Sequence, residues 1–350
     1  PLLKVLLLLN YTVYNLGSLH YTNRTMFGFS KKPQARNELP LQLYNTASKS
    51  LEEFTPLKPT VVTMYSCGPT VYDRVHIGNL RSFLMADILK RVLLYNDFRV
   101  EHTINLTDFG HLTSDADTGE DKMMLAIKRA GKPVSLTSMR AVAEPFIEAF
   151  YDDLTELRIL EPTQFTRASD YVRQQINLIE TLEGKGYTYE TSDGLYFDIS
   201  KFPSYGTLGN LDLEKMQAGA RVDENPEKRH PADFALWKKG LLGWDSKWGK
   251  GFPCWHIECT AMAFATLGRQ LDIHTGGEDL QYTHHNAEIA QAEAVADSPY
   301  VRYWVHNAHV LMGHSKLSKS AGGAPTLADI TNKGYHPFTL RYLYLTTHYR

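Results

Sequence analysis

Two hydrophobic periods alternate along the chain. Residues 60–67 (TVVTMYSC) are an apolar and β-branched run, which predicts a buried strand ended by Gly68 and Pro69. Over residues 78–95 the apolar positions Leu80, Phe83, Leu84, Ile88 and Val92 fall near helical spacing, which predicts an amphipathic helix. Residues 99–106 (RVEHTINL) read as a second strand. Strand, helix, strand opens an α/β unit with a parallel sheet. Residues 108–122 are loop-like, with Asp115, Asp117, Glu120 and Asp121 close together. Residues 123–186 read as mostly helical, with turns at Gly131, Pro162 and Gly184. Residues 187–250 lose the long period and hold many glycines and short strands such as 194–199, as an inserted subdomain would. The α/β pattern then returns: a strand at 270–274, a turn at Gly276-Gly277, a helix at 287–296 and a strand at 303–311.

Composition narrows the class without naming it. Hydrophobic residues make up 43% and charged residues 22% of 350 positions, ordinary globular usage that speaks against collagen, coiled coil and disorder. Lys and Arg number 37 against 39 Asp and Glu, a net charge of −2, so a histone-like polycation is excluded while local phosphate-binding patches are not. Three cysteines are too few for a disulfide framework, and a reducing, cytoplasmic setting is expected. The opening run PLLKVLLLL is shorter than most signal-peptide cores and has no clear cleavage site after it. The chain begins with Pro1, and Met26 offers an alternative start that would set residues 1–25 apart; residues 1–45 have no sustained period and are broken at Lys31-Lys32-Pro33, so they are expected to be a tail.

Two short motifs carry candidate chemistry. His76-Ile77-Gly78-Asn79 lies between the first strand and the amphipathic helix. A helix N-terminus presents unpaired N–H groups and the positive end of the dipole, and glycine lets a ligand approach the backbone. Alone, these four residues also fit an ordinary capped helix start. Lys316-Leu317-Ser318-Lys319-Ser320, followed by a glycine-rich flank, has the donors of a mobile phosphate-holding loop. It lacks the leading glycines of a Walker A sequence, and alone it fits a solvated loop.

Together, a histidine–glycine signature after the first strand and a lysine–serine signature far downstream resemble the class I aminoacyl-tRNA synthetases. The resemblance narrows with Cys67-Gly68-Pro69-Thr70-Val71-Tyr72-Asp73, with Trp255-His256-Ile257-Glu258-Cys259, and with Asp272-Ile273-His274-Thr275-Gly276-Gly277-Glu278-Asp279-Leu280 followed by His284, His285 and Glu288. This set is similar to the cysteinyl-tRNA synthetase family over residues 43–350. The resemblance implies a Rossmann-like parallel-sheet catalytic domain, split by an inserted connective subdomain. Its first half would be residues 46–150, the insertion 151–250 and the second half 251–312. The second signature and the start of a helical stem-contact region would occupy 313–350.

The resemblance also implies roles. ATP, with Mg2+, would be held by His76, Gly78, Asn79, Gly276, Gly277, Asp279 and Lys319, and His76, Asn79, Lys316 and Lys319 would serve catalysis. Gly68, Thr107 and Trp255 would line a cysteine pocket; read alone, Thr107 is a strand-end cap and Trp255 a core aromatic. One Zn2+ per chain would be held by Cys67, Cys259, His284 and Glu288, two thiols, an imidazole and a carboxylate that zinc accepts. His284 and Glu288, four apart, share a helical face. His285 competes with His284 as ligand, and Cys254 stands where the family has a glycine. Zinc would separate cysteine from serine, which differ by one atom, because it binds thiolate strongly and hydroxyl weakly.

The expected activity is cysteine–tRNA ligation by a monomer. Cysteine, ATP and tRNA(Cys) would be its partners, with no membrane among them. Asn79 replaces the second histidine of many class I signatures and can still donate a hydrogen bond. The family continues into stem-contact helices and an anticodon-binding domain, whereas this sequence stops at Arg350, so it is expected to activate cysteine but to charge tRNA poorly. The alternative is a ligase of the mycothiol-pathway type, which joins cysteine to a small-molecule amine. A non-catalytic RNA- or metal-binding relative is the third reading.

Overall fold

Chain direction and strand order together place a topological switch point in the middle of this fold. The structure, a computed structural model, describes residues 40–110, 112, 121–213, 225–312, 315–316 and 324–350. A hairpin of β1 (Gln42–Asn45) and β2 (Ser50–Glu53) comes first, then β3 (Val61–Ser66), α1 (Ile77–Tyr95) and β4 (Arg99–Leu106). Helices α2 (Lys122–Arg129) and α3 (Leu136–Glu156) lead to β5 (Gln164–Arg167) and α4 (Val172–Gly184). Strands β6 (Thr188–Thr191), β7 (Gly194–Phe197), β8 (Phe234–Trp244) and β9 (Gly251–Pro253) make an antiparallel sheet. Helix α5 (Trp255–Thr266), β10 (Leu271–Gly277), α6 (His284–Ala296) and β11 (Val301–Asn307) follow. The short strands β12 (Leu311–Met312) and β13 (Ser315–Lys316) pair, and α7 (Leu327–Asn332) and α8 (Pro337–Thr346) end the chain.

Five parallel strands form the central sheet in the order β11-β10-β3-β4-β5. Counted along the chain from the β5 edge, this is the 3-2-1-4-5 order of a Rossmann sheet. The chain builds outward from β3 in one direction and then returns to build in the other. The switch point lies between β3 and β10, and ligands bind outside the carboxyl ends of strands at such a point. Those ends are Ser66, which leads to Cys67, and Gly276-Gly277.

Side-chain alternation explains why the sheet is covered on both faces. Val62 and Met64 of β3 pack with Ala86, Leu89 and Leu93 of α1, while Tyr65 faces the larger core on the other side. Buried polar groups in the sheet pair with one another, as their desolvation requires. Asp272 of β10 accepts from the N–H and hydroxyl of Thr63 at 2.8 and 2.9 Å. Ser66 bridges His102 of β4 and Thr275 of β10 at 2.9 and 2.7 Å.

Several boundaries differ from the hydrophobic pattern. β10 continues through Gly277, where a turn was expected, because Gly276 and Gly277 still pair with His306 and Asn307. Helix α6 begins at His284, three residues before the expected start at residue 287. Residues 164–167, inside the expected insertion, pair with β4 as the sheet's edge strand. The hairpin starts at Gln42, inside the expected tail, and Asn45 ties it to β11 through the Arg302 carbonyl at 2.9 Å and the Trp304 amide at 3.1 Å. The acidic residues Asp115, Asp117 and Glu120 lie outside the described residues, while Asp121 is buried and caps α2 by accepting from the Met123 and Met124 amides.

Candidate metal centre and phosphate-binding end

Three elements bring four soft and hard donors together at the switch point. Cys67 follows β3, Cys259 sits in the second turn of α5, and His284 and Glu288 share a face of α6. One donor atom from each lies within 4.8 Å of all the others. Gly68 makes the turn after Cys67 possible: a Cβ there would stand 1.5 Å from the Asn105 carbonyl oxygen. Its N–H instead donates to Asn105 Oδ1 at 2.8 Å. Cys259, His284 and Glu288 are buried and Cys67 is half-buried.

The donor atoms fit a metal better than they fit one another. His284 Nε2 lies 3.1 Å from Glu288 Oε1, an ion pair between two fully buried groups that falls outside hydrogen-bond geometry. Its Nδ1 is 2.9 Å from His256 Nδ1, the second contact that typically orients a ligating imidazole. Burial pushes the Cys259 thiol up, but a hydrogen bond from Cys67 and the charge on His284 bring it down to about 6. Burial also works against charge on His284, and Cys259 and Glu288 outweigh it, raising that imidazole to about 10. Cys67 is pushed well up, by burial first and by Cys259 second. Two thiols, a carboxylate and an imidazole thus shift one another's protonation within one buried cluster. A divalent cation would replace those protons.

A second, overlapping set contains Cys67, His274, His285 and Glu288. Its histidines already have partners. His285 Nδ1 is 2.7 Å from His306 Nε2, and His285 Nε2 is 3.4 Å from Cys67 Sγ. His274 Nε2 is 3.0 Å from Glu288 Oε2, which Tyr300 also contacts at 3.4 Å. Cys254 is apart from both sets, buried among Tyr189, Tyr196 and Ala235. The Trp255 ring lies tilted beside His284 with centroids 4.4 Å apart. Thr107 is buried and donates to Glu258 Oε2 at 2.9 Å, so its hydroxyl is committed to a carboxyl that burial pushes well up.

The other end of the site is built from main chain. His76 caps α1: its Nδ1 accepts from the Asn79 N–H at 3.2 Å, and Asn79 Oδ1 accepts from the His76 N–H at 3.4 Å. The capped helix start and the anion-ready helix N-terminus are therefore the same feature. Because Nδ1 accepts, the neutral ring carries its proton on Nε2. Gly277 faces Ser82 of α1, 3.9 Å from where its Cβ would be, which seats the β10 end against the first turns of the helix. Asp279, beyond it, is exposed. The backbone of Lys316 belongs to β13, and Lys319 lies outside the described residues.

Comparison with known proteins decides the family. Residues 53–350 match the family model of the tRNA synthetases class I (C) catalytic domain. The chain belongs to this family. It is 48% identical to cysteine–tRNA ligase 1 of Burkholderia lata, over 89% of this chain and 67% of that protein. It is 44% identical to cysteine–tRNA ligase of Treponema denticola, over 89% of this chain and 64% of the relative. The chain thus spans about two thirds of the length of these curated relatives. Among solved structures, methionyl-tRNA synthetase of Mycobacterium tuberculosis in complex with methionyl-adenylate superposes with a TM-score of 0.59 at 13% identity. The match covers 82% of this chain and 64% of that one, and it shows the shared class I fold.

Within this synthetase domain, sequence reasoning brought the four metal-site candidates to one place but left out the residues around them. His256, His274, His306, Tyr65 and Tyr300 are buried beside the donors. His256 and His274 stood inside quoted motifs, and their signal was a histidine at a position otherwise apolar. Glu258, the partner of Thr107, was equally visible in the same motif.

Proposed function

We propose that this chain carries the cysteine-activating site of a cysteine–tRNA ligase. The observation that carries this reading is the donor set Cys67, Cys259, His284 and Glu288, converging with His284 Nε2 and Glu288 3.1 Å apart at the Rossmann switch point beside Trp255. The identity to cysteine–tRNA ligases supports it. A zinc ion bound by these residues would supply a soft, Lewis-acidic position that prefers thiolate to hydroxyl.

The chain's own residues do the remaining work. Trp255, Gly68 and Thr107 frame the cysteine pocket, and the committed Thr107–Glu258 pair keeps one wall rigid. A cysteine carboxylate oxygen attacks the α-phosphorus of ATP; a new O–P bond forms, the bond to the β-phosphate oxygen breaks, and pyrophosphate leaves. Such transfer depends on positioning and charge stabilisation. His76 donates from Nε2, Asn79 and the α1 N-terminus hold phosphate oxygens, and Lys316 and Lys319 neutralise pyrophosphate. Gly276, Gly277 and Asp279 seat the nucleoside, and Mg2+ accompanies ATP. A ribose hydroxyl at the 3′ end of tRNA(Cys) then attacks the carbonyl carbon, and AMP leaves.

The setting proposed is the cytoplasm, with the chain as a monomer; among the described residues no helix is long and apolar enough to cross a membrane. ATP–pyrophosphate exchange tests the reading. Exchange with cysteine and not with serine, in protein holding about one zinc per chain, is the expected outcome. No exchange with cysteine in zinc-loaded protein overturns it, and transfer to a small amine in preference to tRNA redirects it.

A further inference from the structure

The last 26 residues make a set of contacts with α1 that the phosphate-binding reading does not use. The Pro325 carbonyl, just beyond the second lysine signature, accepts from the Ile77 N–H at 2.9 Å. The Tyr344 hydroxyl of α8 donates to the Ile77 carbonyl at 2.9 Å. Ile77 lies between His76 and Gly78, so one residue of the first signature is held at both its N–H and its C=O by this segment. Further along α1, Arg81 donates to the carbonyls of His309 and His348 at 3.1 and 2.7 Å, and its guanidinium lies 5.8 Å from the Tyr344 ring centre. The Ala308 N–H donates to the Tyr349 carbonyl at 2.8 Å. One turn and a half beyond Arg81, Arg341 of α8 donates to Asp87 at 2.6 Å with both groups buried, and to the Leu157 carbonyl at 2.8 Å.

These contacts differ in strength and in what they fix. The Arg341–Asp87 pair is the anchor: it is buried, and the Leu160 N–H at 2.8 Å and the Arg91 guanidinium at 2.9 Å share the carboxylate. It fixes where α8 sits. The Tyr344 hydroxyl is a single neutral hydrogen bond worth little to global stability. It fixes where the first turn of α1 sits, and that turn supplies the helix N-terminus. The Ile77 amide goes to Pro325 and the Asn79 amide to the His76 ring, so Gly78 supplies the remaining amide of the turn. A phosphate approaching that turn meets the Gly78 amide, whose position is set from outside the helix.

We infer that residues 325–350 are a clamp on the first signature, and that Tyr344 is the positioning residue that sets the α1 N-terminus for ATP phosphates. The inference rests on the adenylation reading.

Tyr344→Phe in the full 350-residue chain tests this, because it removes one oxygen and keeps the ring over Arg81. Hydrogen exchange at the backbone amides of residues 77–80 should become about tenfold faster, as expected when one constraint on a helix end is lost. In ATP–pyrophosphate exchange, kcat should fall about tenfold with the KM for cysteine unchanged, the signature of misplaced reacting groups. The midpoint of thermal unfolding should hardly move. Unchanged amide exchange overturns the clamp. Faster amide exchange with an unchanged kcat overturns the positioning role, and so does an equal loss in the KM for cysteine, which a merely structural lesion would give. If the wild-type chain exchanges no pyrophosphate with cysteine, the ligase reading fails, and amide exchange, which needs no turnover, still decides the clamp.

Discussion

On the proposed reading, the two ends of the site solve different problems with different materials. At the metal end, Cys259, His284 and Glu288 are fully buried side chains on two helices, and each neighbouring ring is fixed by another. At the proposed phosphate end, Asn79 is exposed, and the described groups are the main chain of a helix start and a strand end. Discrimination between a thiol and a hydroxyl needs a dry site whose donors do not relax, since electrostatic differences grow as water is excluded. Holding pyrophosphate while it forms and then leaves needs groups that can release it. The contrast predicts that damage at the metal end changes which amino acid is used, whereas damage at the phosphate end changes how fast.

The sharpest break of that contrast is Cys259→Ser. It replaces one soft donor in a buried set and should lower zinc affinity by more than the about 10–100-fold typical of losing an outer partner. Preference for cysteine over serine should fall with it, while the fold survives. Metal analysis and paired exchange assays read both. A variant that keeps stoichiometric zinc would remove Cys259 from the donor set.

Lys319→Ala probes the opposite end. Loss of one transition-state contact commonly lowers the rate about 10²–10³-fold. Single-turnover adenylation should slow by that order while cysteine affinity and zinc content stay unchanged. A variant that loses cysteine preference instead would erase the division between the two ends.

The difference between the ends also explains what could be read without coordinates. His76-Ile77-Gly78-Asn79 is contiguous, so its helix-capping and anion-binding geometry follows from local rules, and the capping box is present as spacing implies. The parallel sheet was legible because β3, α1 and β4 each carry a clear period. The donor set was legible only through family resemblance, because Cys67 and Glu288 are 221 positions apart (288 − 67) and nothing local joins them. His256, His274 and His306 were illegible as a network, since each sits at a buried position where periodicity predicts an apolar residue. The edge strand β5 was hidden between two long helices, and its four residues carry too short a pattern to stand out.

Among those histidines, His256 offers an intermediate test. Its Nδ1 contact orients His284 without reaching the other donors. His256→Ala should weaken zinc binding about 10–100-fold, the usual range for an outer partner, and leave phosphate-end kinetics unchanged once zinc is saturating. Competition with a chelating dye measures it, and an unchanged zinc affinity would confine His256 to packing.

The smallest effect concerns a charge rather than a contact. At the metal end His284 faces the opposite charge of Glu288 at 3.1 Å, whereas Asp153 of α3, whose field includes Arg74 just before the first signature, has a buried Oδ2 with no hydrogen-bond partner. Burial raises its pKa from 3.8 to about 7; Arg74 opposes this, and Glu156 and Asp152 add to it. Below the unfolded value both states are protonated and the group is silent. Between that value and about 7 the unfolded chain gives up a proton that the folded chain keeps, so Asp153 makes stability fall as pH rises through this window, and the penalty is constant above it. Asn stays neutral at every pH. Asp153→Asn should therefore gain stability relative to wild type as pH is raised from 5 to 8, seen as a widening gap between their unfolding midpoints. A gap of constant size across that range would show that Asp153 ionises as readily in the folded chain as in the unfolded one. Burial would then impose no pH-dependent penalty at Asp153.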